Sequence, residues 1–63
     1  MNMITVSSSA IRAVGYDGYT LAVVFHHSGR YDHRGVPYGV YASLMQASSM
    51  GAYYNRNIRG RYK

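Results

Sequence analysis

Cysteine is absent from the chain, which excludes disulfide staples, thiolate metal ligands and thiol redox chemistry. Tryptophan is absent too, and the acidic side chains number two, Asp17 and Asp32. One falls in a turn signal and the other in a strand pattern, so their spacing makes no acid/base pair. The serines find no His/Asp constellation, and there is no glycine-rich phosphate loop. No apolar run approaches the roughly 18 residues that span a bilayer. The opening segment Met1-Asn2-Met3-Ile4-Thr5-Val6 lacks the basic region and apolar stretch of a secretory signal. The expectation is a cytoplasmic, non-enzymatic protein with no cofactor, no metal and no membrane partner.

What the chain does have is tyrosine and arginine. Eight tyrosines and one phenylalanine supply its rings, and seven Lys+Arg against two acids give a formal charge of +5. Six of the seven cations are arginine, whose planar guanidinium suits phosphate and other flat anions. Sixty-three residues make one domain, 1–63. A chain this short buries only about 60% of the surface it exposes when unfolded, so it needs a well-packed core or a second copy of itself. Each buried phenol needs a hydrogen-bond partner, which places several rings at the core boundary or in an interface.

Periodicity predicts an α+β fold. Asp17-Gly18 separates the runs Ala10 to Tyr16 and Tyr19 to His26, a strong hairpin signal. A two-residue loop pairs Tyr16 with Tyr19 and Val14 with Leu21. Leu21, Val23 and Phe25 then share the core face, and Thr20, Ala22, Val24 and His26 the other. Ile11 falls on the wrong side of that register, which predicts a bulge near Arg12 or Ala13. His27-Ser28-Gly29 reads as a three-residue loop that sets Tyr31 opposite Phe25 and His33 opposite Val23, with Arg30, Asp32 and Arg34 outward. Gly35-Val36-Pro37 ends the sheet and opens a helix with Pro37 at its first position. Val40, Tyr41, Leu44, Met45 and Ser48 form its apolar stripe. Ser49 caps a second helix holding Tyr53, Tyr54 and Ile58, which Gly60 terminates. The predicted architecture is a three-stranded antiparallel β-meander with two C-terminal helices packed on one face. The opposite face is left open, the core runs from about 7 to 60, and 61–63 form a flexible tail.

The succession Ser7-Ser8-Ser9, Ile11, Val14-Gly15-Tyr16-Asp17, Leu21, Val23, Phe25, Gly29, Tyr31, Val36-Pro37, Tyr41, Leu44, Ser49, Gly51, Tyr53 and Asn55-Arg56-Asn57-Ile58 resembles the KTSC domain family, from about Ser7 to Tyr62. That resemblance implies a domain found at the C-terminus of some lysyl-tRNA synthetases and as free-standing bacterial and phage proteins. For a phage protein the compartment would be the host cytoplasm. It also implies RNA binding, the role usually suggested for the family. Where relatives commonly carry Tyr-x-Tyr on the third predicted strand, this chain has Tyr31-Asp32-His33, a smaller ring that titrates.

Two patches stand as candidate sites. Four of the seven cations lie in the last eight residues, and Arg56, Arg59, Arg61 and Lys63 interleave there with Tyr53, Tyr54, Asn55 and Tyr62. Guanidinium charge beside phenol rings suits a phosphate backbone with unstacked bases. The plainer reading is a solvated helix end whose arginines complement the helix dipole. A secondary patch comprises Arg12, Arg30, Arg34, Tyr31 and His33, where a strand face could present charge and rings to single-stranded nucleic acid. Its plainer reading is an edge strand charged against aggregation. Exposed Ala22, Val24 and Ile11 on that outer face would fit a homo-oligomer interface. His26 and His27 point to opposite faces of a strand and so fail to share one ion. Asn55 and Asn57 read first as capping or hydrogen-bonding residues, with a base-edge contact as the weaker alternative.

The expected partner is nucleic acid, RNA above DNA, or a nucleotide. The alternative is a protein-interaction module, such as a phage inhibitor or an oligomer that sequesters a signalling nucleotide between subunits.

Overall fold

Asp17 does more than mark a turn. Its carboxylate oxygen accepts from the backbone N–H groups of Tyr19 at 2.9 Å and Thr20 at 2.7 Å, while Gly18 takes φ +96°. That Asx turn holds four residues between strands β2 (Ile11–Tyr16) and β3 (Leu21–Phe25). Tyr16 therefore pairs with Leu21 and Val14 with Val23, which corrects the predicted two-residue loop. The slip is by an even number, so Leu21, Val23 and Phe25 keep their predicted face.

A similar correction applies to the next hairpin. Strand β4 (Gly29–His33) pairs Gly29 with Phe25, Tyr31 with Val23 and His33 with Leu21. The loop is three residues long as predicted, but begins one residue earlier, at His26. The cause is a competing tie. The His26 backbone N–H donates to the Ala10 carbonyl at 3.1 Å, and its ring Nε2 lies 3.0 Å from the Ser8 carbonyl. A carbonyl only accepts, so Nε2 carries the proton, and His26 clamps the serine lead-in to the hairpin.

The predicted bulge is present. The register shifts between Ile11 and Ala13, which face Phe25 and Val24, and Ile11 is fully buried as a result. Ile11 and Ala22, read as exposed outer-face positions, have no accessible surface.

The computed structural model describes residues 1–62, so Lys63 lies outside the described residues. Among them the sheet has four strands in the order β1-β2-β3-β4, one more than predicted. Strand β1 (Met3–Thr5) pairs antiparallel with β2, placing Met3 beside Gly15 and Ile4 beside Val14. All three of its residues are exposed, so it carries no burial pattern to betray it. It extends the sheet at its edge, and the outer face stays free of helices, with Met3, Thr5, Arg30 and Asp32 exposed on it. A Cβ at Gly15 would overlap the Met3 sulfur and sit 2.9 Å from that of Met1. The bare glycine lets this methionine strap close over it.

Pro37 stands one position before helix α1 (Tyr38–Gln46), in extended backbone at ψ 154°. The Val36 N–H donates to the Tyr19 carbonyl at 2.9 Å, holding the chain extended up to that point. Leu44 is the fully buried residue of α1, with Val40, Tyr41 and Met45 packed beside it. Ser48, read as part of this stripe, lies past the helix end and is exposed. Helix α2 (Met50–Asn57) starts as predicted, with the Ser49 hydroxyl accepting from the Ala52 N–H at 3.3 Å. Both helices cover one sheet face, where Val14, Leu21, Val23, Leu44, Tyr54 and Ile58 form one cluster. No described helix is long and apolar enough to cross a membrane.

The carboxylates bear on acid stability. Asp17 is held below the usual carboxylate range by the Thr20 and Tyr19 N–H groups, and Asp32 by its hydrogen bond from Arg30. A depressed folded pKa stabilises the fold above the unfolded value of about 3.9, and that stability is lost as pH falls through the folded value. Denaturant midpoints are therefore expected to fall below about pH 4. Asp17→Asn keeps an acceptor but cannot titrate, so its acid limb should be shallower than that of the wild type. Parallel limbs would refute the assignment.

Candidate functional site

Tyr54 is 6% exposed and so cannot offer a stacking face as the sequence suggested. Its i+4 neighbour Ile58 is fully buried, and the pair forms the apolar side of α2. A phenol buried this deeply needs a partner, and His33 supplies it. His33 Nε2 lies 2.7 Å from the Tyr54 hydroxyl, and His33 Nδ1 lies 3.0 Å from the Tyr62 carbonyl. Burial pushes the Tyr54 phenol up, although the nearby Arg59 charge opposes it.

This network places the chain end. The tail assigned to 61–63 is tied down as far as Tyr62. The N–H groups of Arg61 and Tyr62 return to the Ile58 carbonyl after Gly60 turns at φ +79°, and the Tyr62 ring packs against the core.

Above the network lies an open cleft of about 480 Å³ between the β3–β4 hairpin and the end of α2. Tyr31, Phe25, Tyr54 and His33 form its aromatic wall and floor, stepping edge to face. Centroid separations are 5.7 Å from Tyr31 to Phe25, 4.9 Å from Phe25 to Tyr54 and 5.4 Å from His33 to Tyr54. Ser28, Asn55 and Arg59 add the polar groups. Asn55, near the end of α2, and Arg59, two residues past it, both line this cleft.

The two patches read separately in the sequence thus meet. Tyr31 and His33 from one line the same cleft as Tyr54, Asn55 and Arg59 from the other. Tyr31 shares the helix-side face with Val23, yet remains 46% exposed where it lines the cleft. The other candidates stay outside the cleft. Arg56 and Arg61 are exposed nearby in sequence, and Tyr53 and Tyr62 are half-buried against the core. Arg12 is exposed at the bulge, and Arg34 is exposed past β4. Arg30 is spent on Asp32, Nε to carboxylate at 2.8 Å, the one ion pair among the described residues. Of the other cleft residues, Phe25 was read as core and Ser28 as loop, and neither carried a chemical signal of its own.

A second aromatic cluster went unread. Tyr16 stacks on Tyr41 at 4.6 Å and donates to the Val36 carbonyl at 2.6 Å. Tyr38 leans on both rings and is 69% exposed.

Residues 7–62 match the KTSC domain family. The crystal structure of a KTSC domain protein from Yersinia pestis resembles this fold with a TM-score of 0.94. The two share 33% sequence identity over 98% of this chain and 90% of that one. No curated protein matches the chain. A match over nearly the whole sequence and a structural relative at that identity agree: the chain belongs to the KTSC domain family.

Proposed function

We propose that the protein is a small non-enzymatic module that binds RNA, or a nucleotide, through arginine charge and tyrosine stacking. The observation that carries this reading is the cleft. It sets an accessible phenol, Tyr31, with an amide and a guanidinium, Asn55 and Arg59, over an aromatic floor. Single-strand binders combine the same elements, a cationic rim and rings on which bases stack. Arg56 and Arg61, exposed and without an acidic partner among the described residues, add positive charge for a flanking phosphate backbone.

Binding of a labelled single-stranded RNA should weaken linearly on a log–log salt plot, with a slope of about −0.7 per phosphate contacted. Replacing Arg56 and Arg59 together by alanine should reduce that slope by about 1.4, two phosphates' worth. The thermal midpoint should hold, because both side chains are exposed. No binding of RNA, DNA or nucleotides at low salt would end this reading. A protein partner that survives nuclease treatment of a lysate would then favour the interaction-module alternative.

A further inference from the structure

Strand β4 closes the sheet at one edge, with Gly29, Arg30, Tyr31 and Asp32 exposed. Its ladder runs to β3 alone. No other described residue exchanges a hydrogen bond with the backbone of Gly29–His33. One row of N–H and C=O groups on this strand is therefore open to a further strand.

Charged side chains ordinarily guard such an edge by setting like charges against a second copy. In one register the charges here do the reverse. Arg30 and Asp32 stand two apart and share the helix-free face, where they form an ion pair at 2.8 Å. A second copy laid antiparallel about a two-fold axis at Tyr31 sets residue 30 opposite residue 32, and 32 opposite 30. The four charges then occupy a square with alternating signs. Each guanidinium gains a second carboxylate across the strand gap, with Cβ atoms about 5 Å apart. Arg34, just past the strand, falls opposite Ser28 and meets no like charge. Moving the axis by one residue, to Arg30 or to Asp32, sets that residue against its own copy, like charge on like.

The ring between the two charges agrees with the same register. At the axis Tyr31 meets Tyr31 of the second copy on the helix-side face, a cross-strand aromatic pair. The two clefts then open on one side of a continuous sheet. A chain of 63 residues without a disulfide is also of the size that gains most from a second copy.

We propose that β4 pairs with β4 of a second copy, antiparallel and centred on Tyr31, so that the protein forms a two-fold dimer with one continuous sheet. This pairing does not depend on what the cleft binds.

The test is sedimentation equilibrium of the full chain from about 10 μM to about 1 mM, the span of weak to moderate affinities. The mass should rise from 7.1 kDa toward twice that value. Asp32→Arg and Arg30→Asp each turn the square into four like charges. Each should weaken the dimer by about tenfold, the effect of two cross-strand pairs changed from unlike to like. Both side chains are exposed, so far-UV circular dichroism should show the fold intact. Mixed together, the two variants should associate again, because one brings only cations to the square and the other only acids. The double variant carrying both exchanges should dimerise as the wild type does. A single-chain mass at every concentration, which leaves the edge to water or to a strand of a different protein, overturns the proposal. So does a dimer that neither reversal weakens, or a mixture and a double variant that both fail to associate.

Discussion

Leu44→Ala is expected to unfold a substantial fraction of the protein at physiological temperature. Leu44 has no accessible surface and sits where α1 meets the sheet and α2. Truncating a buried leucine costs about 2–5 kcal/mol, the spread reflecting how far the neighbours collapse into the gap. Against that stands a total stability of about 3–9 kcal/mol for a domain of this length, at 0.05–0.15 kcal/mol per residue. With no disulfide to limit the unfolded chain, the loss takes up much of the margin. Urea unfolding followed by far-UV circular dichroism measures it. A control, Met45→Ala, should cost clearly less, because Met45 is only partly buried on the adjoining face of α1. A Leu44→Ala midpoint equal to that of the control would show that α1 contributes little to the core.

How much of this was legible follows from what each residue's neighbours are. The core face of β3 was readable because alternation is local: Leu21 and Val23 declare themselves whatever their partners do. The bulge was readable for the same reason, since only a bulge returns Ile11 to the side of Val14. Both hairpin registers missed by two residues, and each miss traces to a side chain used as a backbone partner. Asp17 widened the first loop, and His26 was drawn to the serine lead-in. Composition alone gives no sign of either. Strand β1 escaped because its three residues bury nothing and its place depends on Gly15, far along the chain.

The candidate site was half legible. Arginine and tyrosine near the carboxyl end were plain, but which tyrosine stays accessible was not. The spacing that puts Tyr54 and Ile58 on one helix face was readable, but the buried partner of the Tyr54 hydroxyl, His33, comes from a distant strand. The accessible ring, Tyr31, belongs to an alternating strand pattern that reads as core. Its exposure depends on what packs over the strand, which is tertiary information.

His33→Phe is expected to be nearly as damaging as the loss of Leu44, although it keeps the ring and much of the volume. His33 is 9% exposed and ties three separated parts of the chain together: β4, the middle of α2 through Tyr54, and the end through Tyr62. Phenylalanine would leave the Tyr54 hydroxyl buried without an acceptor and the Tyr62 carbonyl without a donor. Each orphaned buried group costs about 1–3 kcal/mol, and the part-buried carbonyl should fall at the low end. The expected total is about 2–4 kcal/mol by the same reckoning. Faster amide exchange at Arg61 and Tyr62 should accompany it as the chain end loses its tie. His33→Gln separates lost hydrogen bonds from changed shape, because its amide again offers one donor and one acceptor. It should recover a large part of the stability and the exchange protection. If glutamine proves no better than phenylalanine, the network adds little and His33 acts in the core by packing alone.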